Sequence, residues 1–420
     1  MRICFPGFEV SRGRSNPGKQ IRALLAERAK AYAAAGEMLD TTDTPSETTA
    51  EEIAVLYRKR VPEDMTIVEV ATPGHGPVLI GRGILSDIGE RIAARLPDAR
   101  TVALVVDPGA GDAAATVTDS IRDAGIQVAT LALPPGEDAK SLTALGELLT
   151  SLREHHIEPT DAVVALGGGA VLDAAGFAAA TYARGIPLVN VPTTLLAMVD
   201  AGLGGKVAID HAGAKNLVGT FHPPRLVLAD PEVLATLPER ELRTGLAEII
   251  KAAILASPLL LDFLELEDPT RWLDWIVEQG VRIKAGYVAV DPRDRGVRQS
   301  LNLGHTFAHS IESASGYSVS HGESVAMGLV AAARLGTEHA VTEPGLEERI
   351  RAVLDNVGLP ATPAPDLEGD ALVEAMTADK KRRSGRAVFV APVAGGAALL
   401  DDIDPADAVS LLLSNTETSS

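Results

Sequence analysis

From Met65 onward, short apolar runs alternate with stretches of helical spacing. Val102–Val106 is one such run and ends at Asp107; Val128–Leu133 is another and ends in Pro134-Pro135-Gly136-Glu137-Asp138. Ala162–Leu166 leads into Gly167-Gly168-Gly169, and Leu188–Val191 into Pro192-Thr193-Thr194. Lys140–Glu154, between two of these runs, has helical periodicity. The alternation predicts an α/β domain over 65–238, with a mostly parallel sheet covered by helices on both faces. Ligands in such sheets bind at the carboxyl ends of the strands, where the Gly- and Pro-rich ends fall.

From about 239 helical spacing dominates. Helices are predicted through Leu255 and at 258–267, 270–287, 300–314, 322–340 and 345–357, making an all-α domain over 239–414 and leaving 415–420 as a polar tail. A cleft between the two domains is the expected ligand site. Residues 1–64 read as an extension. Asn16-Pro17 offers a helix start, and Ile21, Leu24, Leu25, Ala29 and Tyr32 follow with helical spacing. Thr41–Thr49 reads as a linker, a short helix is predicted at 51–60, and Met65 is an alternative start.

Composition narrows the class. A chain of 420 residues exceeds one core of typical size, in line with two domains. The formal net charge of −19 argues against nucleic acid as a partner, and an anionic ligand would need a local cationic pocket. The lone cysteine, Cys4, excludes an intrachain disulfide and fits a reducing cytoplasm. No apolar run reaches about 18 residues, so no membrane span is expected.

Three of the nine histidines, His305, His309 and His321, fall within 17 residues. His305 and His309 stand at i, i+4 and share one helix face, with Arg298 and Asn302 close to that face. Imidazoles grouped this way suit a divalent metal of the zinc type completed by a carboxylate; a pair of capping or core histidines is the plainer alternative. Gly167–Gly169 followed by Asp173 sits where a strand passes into a helix, so its backbone can approach a pyrophosphate at the helix N-terminus. It matches neither G-x-G-x-x-G nor the Walker pattern, which leaves a variant dinucleotide loop or a tight turn. Asp107 and Glu137, at strand ends, can accept from ribose hydroxyls or be ordinary loop carboxylates.

Asp200 and Lys206 flank a Gly-rich turn, with Lys215-Asn216 just beyond. Glu248 and Lys251 share a helix face at i, i+3, which alone is an ordinary ion pair. The apolar neighbours of Glu248 point to burial, and a buried carboxylate requires a metal or cation. Arg184, Lys206, Lys251, Lys284, Arg298 and Lys380 are candidates for the cationic pocket, each a solvated surface charge if taken singly.

Taken in order, Pro135–Lys140, Gly167–Gly169 with Asp173, Val191–Leu196, Asp200–Lys206, Lys215-Asn216, Glu248 with Lys251, Leu301–His309, His321-Gly322-Glu323 and Asp379–Lys381 resemble the sugar phosphate cyclases, most closely the 3-dehydroquinate synthases. The resemblance covers about 65–405. It implies that Glu248, His305 and His321 bind Zn²⁺ (or Co²⁺), with His309 outside the ligand set. It implies that Asp107, Glu137, Lys140, Gly167, Gly168, Gly169, Asp173, Thr193 and Thr194 hold NAD. Asp200, Lys206, Lys251, Lys284, Asn302 and His309 would carry catalysis, and Arg184, Asn216, Arg298 and Lys380 would bind substrate. By the same resemblance Arg184 would reach the phosphate from the neighbouring subunit of a homodimer.

The implied reaction turns 3-deoxy-arabino-heptulosonate 7-phosphate into 3-dehydroquinate. Transient NAD oxidation, β-elimination of phosphate, reduction, ring opening and an intramolecular aldol make it a net lyase. It belongs to the shikimate pathway of aromatic amino acid synthesis. Relatives acting on sedoheptulose 7-phosphate tend to lose the Arg/Asn pair and late Lys kept here as Arg298, Asn302 and Lys380. A 5-amino-dehydroquinate synthase is the alternative, because its substrate keeps the carboxylate; a metal-dependent polyol dehydrogenase is more distant. Two departures stand out. Val207 replaces a hydroxyl residue in the usual G-G-K-T-G-I-N, and Asp210 replaces its Asn.

Overall fold

A computed structural model describes residues 2–5, 8–11, 65–364, 367–382 and 387–414, with side chains from residue 65 except at 379–382. The helices expected from Asn16 and at 51–60, and the tail, lie outside the described residues. The chain divides into two units: Glu63–Ile249 with Thr270–Arg295, and Met1–Pro62 with Ile250–Pro269 and Gly296–Ser420. None of the described helices is long and apolar enough to cross a membrane.

The first of these units is built on a seven-stranded sheet. Its strands are β3 (Thr66–Val68), β4 (Val78–Ile80), β5 (Thr101–Val106), β6 (Gln127–Ala132), β7 (Ala162–Gly167), β8 (Leu188–Pro192) and β11 (Leu226–Ala229). They lie in the order β3-β4-β11-β8-β7-β5-β6, and only β3 runs antiparallel to its neighbour. The central strands are buried on both faces, which is why they read as unbroken apolar runs. Ala103, Val105, Val163 and Ala165 point to one face and pack under α3 (Leu142–Glu154) and α4 (Gly169–Thr181). Val102, Leu104, Val164 and Leu166 point to the other, against α1 (Ile88–Arg95) and α2 (Gly111–Asp123).

From β5 the chain crosses to β6 on one side, then returns to β7 on the other. The connection therefore changes direction between β5 and β7, which opens a crevice outside their carboxyl ends. A hairpin of β9 (Lys206–His211) and β10 (Ala214–Phe221) follows a π-helical turn at Ala197–Ala201. The sequence reading saw only a flexible Gly turn there. Gly280 lets α7 (Leu273–Val290) approach that turn: a Cβ on Gly280 would come within 3.0 Å of the Val199 side chain.

The remaining unit is mostly helical, with α6 (Pro258–Leu266), α8 (His305–Ala314), α9 (His321–Glu338), α10 (Leu346–Val357), α11 (Gly369–Arg382) and α12 (Pro405–Leu413). Helix α5 (Glu239–Ala256) is continuous through the boundary at Ile249. This unit is not purely α. A hairpin of β12 (Phe389–Val393) and β13 (Gly396–Leu400) takes β1 (Arg2–Phe5) and β2 (Phe8–Ser11) onto its β13 edge. Short apolar runs after a long helical stretch do not separate strand from helix by period, so this sheet escaped the pattern. The helix expected at 300–314 is also broken. Residues Val297–Asn302 form a 3₁₀ turn, and Gly304, at φ 77°, re-aims the chain before α8 begins at His305.

Candidate active site

The carboxyl ends of β5, β7 and β8 lie side by side, and three predicted nucleotide-binding segments meet there. Asp107 N–H donates to the Leu166 carbonyl at 3.0 Å, and Thr193 N–H to the Gly167 carbonyl at 3.0 Å. Gly167 has no room for a side chain, because a Cβ would lie 3.0 Å from the Cβ atoms of both Asp107 and Val171. Gly168 is the N-cap of α4 and brings no capping side chain, so the helix opens on backbone N–H groups. Thr194 turns its hydroxyl to the next turn, where it accepts from Ala197 N–H at 3.1 Å.

After β6, the 3₁₀ turn Gly136–Lys140 carries Glu137 and ends in a buried lysine. The Lys140 ammonium donates to Asp173 Oδ2 at 2.7 Å and to the Asn216 side-chain oxygen. Burial pushes the Asp173 carboxyl up to about 6, although Lys140 pulls it the other way.

A second cluster lies in the same unit. Lys284 on α7 is paired with Asp200 on the π-helical turn, and Lys206 at the head of β9 with Asp294. Asn216 sits at a register shift in β10 with φ 55°, and its N–H donates to Asp210 Oδ1 at 2.7 Å. The two unusual residues of this loop thus have local tasks. Asp210 closes the hairpin, and Val207 packs in the core, where its Cγ1 lies 2.4 Å from the place a Gly176 Cβ would occupy. Arg184 is exposed on its own short turn at φ 69°, and among the described residues it joins none of these pairs.

The histidines gather at helix starts. His305 opens α8, His309 follows one turn later, and His321 opens α9. Backbone contact brings the two helices together: a Cβ on Gly328 of α9 would lie 2.2 Å from the Gly304 carbonyl oxygen. The His305 ring centroid is 5.5 Å from that of His321 and 5.7 Å from that of His309. Glu248 is 4% exposed on α5, and its carboxylate with one nitrogen each of His305 and His321 forms a set whose atoms lie within 4.8 Å of one another. Of the clustered histidines, His309 is outside this set. Lys251 and Arg298 are buried, at 3% and 2% exposure, and Asn302 ends the Arg298 turn. Lys380 lies on α11, with its side chain outside the described atoms.

This donor set fits a zinc-type ion. Nδ1 of His305 lies 3.1 Å from the Leu303 carbonyl, which only accepts, so Nδ1 carries the proton and Nε2 holds the lone pair. Nδ1 of His321 lies 2.9 Å from Glu312 Oε1, with the same consequence. Two imidazoles anchored through Nδ1 plus one carboxylate make a three-ligand set of the type that would hold a catalytic zinc-type ion. Glu312 escaped the sequence reading, although its position i+7 from His305 puts it on the same helix face. Glu323, part of the His321 motif, is a capping residue: it exchanges hydrogen bonds with Ser320 at the start of α9. Asp294 was also missed, and nothing local in its sequence marks it. Glu312→Gln is expected to weaken metal affinity about 10–100-fold with the fold retained, which a chelator competition titration measures; unchanged affinity would remove Glu312 from the site.

The family model of the 3-dehydroquinate synthase N-terminal region matches residues 130–244, and that of the C-terminal region matches 245–382. The 3-dehydroquinate synthase of Symbiobacterium thermophilum is 42% identical over 342 residues, covering 78% of this chain and 94% of the relative. The chain belongs to the 3-dehydroquinate synthase family. Among solved structures, ValA, the 2-epi-5-epi-valiolone synthase of Streptomyces hygroscopicus subsp. jinggangensis 5008 with NAD⁺ and Zn²⁺ bound, matches with a TM-score of 0.73 and 25% identity over 82% of this chain and 98% of its own. An NADH-dependent butanol dehydrogenase A from Thermotoga maritima shares the fold alone, at a TM-score of 0.56 and 17% identity over 83% of this chain and 99% of its own. This chain thus shares its fold with a dehydrogenase, and fold alone does not decide the activity.

Proposed function

We propose that this protein converts 3-deoxy-arabino-heptulosonate 7-phosphate to 3-dehydroquinate with release of phosphate, using NAD⁺ and Zn²⁺ or Co²⁺. One observation carries the reading: three metal-type ligands stand together in a chain matched over 94% of the length of a 3-dehydroquinate synthase. The bound nucleotide and ion supply a reversible hydride acceptor and a Lewis acid for adjacent substrate hydroxyls. Glu248, His305 and His321 hold the ion. The Gly167–Gly169 backbone and the start of α4 receive the pyrophosphate, with Asp107 and Glu137 accepting from ribose hydroxyls.

The chain's own groups then handle charge and protons. Lys206, Lys251, Lys284 and Lys380 neutralise phosphate and developing oxyanions. Lys284, paired with Asp200, sets an ammonium and a carboxylate side by side for acid–base steps on the substrate. Arg298, with Asn302, takes the substrate carboxylate through its planar fork, and His309, whose ring centroid is 5.7 Å from that of His305, serves the substrate phosphate. Arg184 serves a neighbouring subunit in a homodimer, in keeping with its exposure here. The protein works in the cytoplasm, in the shikimate pathway.

The test is phosphate release by the purified protein with NAD⁺ and Zn²⁺ or Co²⁺, with products identified by mass spectrometry. The heptulosonate 7-phosphate, its amino analogue and sedoheptulose 7-phosphate are compared. Dehydroquinate from the first, without net NADH, is the expected result. Preference for the amino analogue would move the protein to the 5-amino-dehydroquinate reaction, and turnover of sedoheptulose 7-phosphate alone would overturn the carboxylate reading. Net accumulation of NADH would indicate a dehydrogenase.

A further inference from the structure

Strands β1 and β2 lie ahead of the part of the chain that resembles the family, which begins at about 65; the Symbiobacterium thermophilum enzyme is spanned over 94% of its length by 78% of this chain. The pair is nevertheless built into the helical unit. The β12–β13 hairpin alone would be marginal in water. Strand β1 takes the open edge of β13, with Ile3 opposite Ala398 and Cys4 opposite Ala397. Strand β2 then pairs with β1, with Val10 opposite Ile3 and Phe8 opposite Phe5. β13 thus has partners on both edges, and Ala397 to Leu400 are at most 9% exposed. With a side-chain period of two, this register puts the apolar positions Ile3, Phe5, Phe8 and Val10 on the sheet face that carries Phe389 and Ala398. Arg2, Cys4, Glu9 and Ser11 fall on the opposite face. Helix α8 meets the Phe389 face: the ring centroids of Phe307 and Phe389 are 5.2 Å apart, and the Thr306 hydroxyl donates to the Val388 carbonyl at 2.9 Å.

Cα atoms of both β1 and β13 come within 8 Å of the 3₁₀ turn Val297–Asn302. The ends of that turn are tied by Gln299 N–H to the Gly296 carbonyl and by Leu303 N–H to the Ser300 carbonyl, both at 3.0 Å. A 3₁₀ turn has poorer hydrogen-bond geometry than an α-helix, so its placement depends on what packs beside it. We propose that the β1–β2 pair is a brace for this turn. By completing the sheet at β13 it fixes the backbone that presents Arg298 and Asn302, and so sets the affinity for the carboxylate end of the substrate. The residues of the pair are positioning residues, acting through β13 and the turn. A segment additional to the family's common length thereby acts on substrate binding. The effect on affinity rests on the reading that Arg298 and Asn302 take the substrate carboxylate; the docking of β1 on β13 does not.

Two substitutions in the full chain test the brace. In Ala397→Cys the new thiol stands opposite Cys4, the chain's single cysteine. Facing residues of an antiparallel pair have Cα atoms about 4.5–5.5 Å apart, within the span of a disulfide. Mild oxidation is expected to give an intramolecular cross-link, identified by peptide mass spectrometry and reversed by reductant, with kcat/KM kept within about threefold. Ile3→Pro removes a backbone donor from a strand that has neighbours on both sides. It is expected to speed amide exchange at least about tenfold in Gly396–Leu400 and in Val297–Asn302, the scale of a lost hydrogen bond, while β5 and β7 keep their protection. KM for the heptulosonate 7-phosphate rises about tenfold, while kcat, zinc content and the affinity for sedoheptulose 7-phosphate as a competitor stay within about threefold. Ile3→Val behaves as the wild type. Absence of the cross-link, or unchanged exchange in Gly396–Leu400, would overturn the docking and the brace with it. Faster exchange in Gly396–Leu400 alone, or equal losses of affinity for the two sugar phosphates, would overturn the brace and leave the pair a cover for the β13 edge. If no sugar phosphate is turned over, the proposed function falls, and exchange in Val297–Asn302 still decides the brace.

Discussion

Glu248→Gln is expected to lose bound zinc and phosphate release together, with turnover down by about 10³-fold or more and the far-ultraviolet dichroism unchanged. The substitution keeps volume and shape on α5, so packing around a side chain that is 4% exposed is preserved. What disappears is the one negative charge in a set otherwise made of neutral imidazoles. A divalent ion at a low-dielectric site depends on that charge, and a Lewis acid contributes several kcal/mol to such a reaction, of which about 4 corresponds to 10³ in rate. His321→Ala should behave alike, because it removes a ligand and leaves the Glu312 carboxylate without its imidazole. Metal content by elemental analysis and phosphate release by the same preparation decide the matter. A variant that keeps both full metal and full rate would refute the ligand assignment.

The two groups of candidate residues were unequally legible. Asp107, Gly167–Gly169 and Thr193-Thr194 could be placed from the chain because each follows a short apolar run, and parallel strands put such ends on one edge. The order of the strands, which sets the crevice between β5 and β7, has no local signal. The helical group was harder. Spacing made His305 and His309 equivalent; their separation comes from Gly304, which starts α8 at His305, and from the approach of α9 at Gly328. Both are backbone features that hydrophobic periodicity does not record. Glu312 had a signal, its position on the histidine face, but a carboxylate inside an amphipathic helix reads equally well as surface. The pairs formed by Lys284 with Asp200 and by Lys206 with Asp294 join residues about 84 and 88 positions apart, beyond any window of sequence reasoning. The concern raised by Val207 was resolved only by packing, since the same residue type at that position fits a substrate loop or a core.

Arg298 carries the largest expected effect on specificity. It is 2% exposed on the 3₁₀ turn that precedes α8, and Asn302 lies one turn further along. A planar guanidinium held by burial presents parallel N–H groups at fixed spacing, which match a carboxylate and gain little from a lone hydroxyl. Two charge-assisted hydrogen bonds, each worth about 1.5–3 kcal/mol, amount to about 10²–10³ or more in kcat/KM when both are lost. Arg298→Leu should therefore depress kcat/KM for the heptulosonate 7-phosphate by that amount. Sedoheptulose 7-phosphate, which has no carboxylate, should change by less than about tenfold, so the ratio of the two specificity constants moves toward it. Arg298→Lys should restore little, because an ammonium keeps the charge without the fork. The ratio also separates this role from a structural one. Collapse of the turn would disturb His305, three residues past Asn302, and lower both substrates together with metal content. Equal losses on the two substrates would show that the buried Arg298 serves the fold or the phosphate and that the carboxylate is recognised elsewhere.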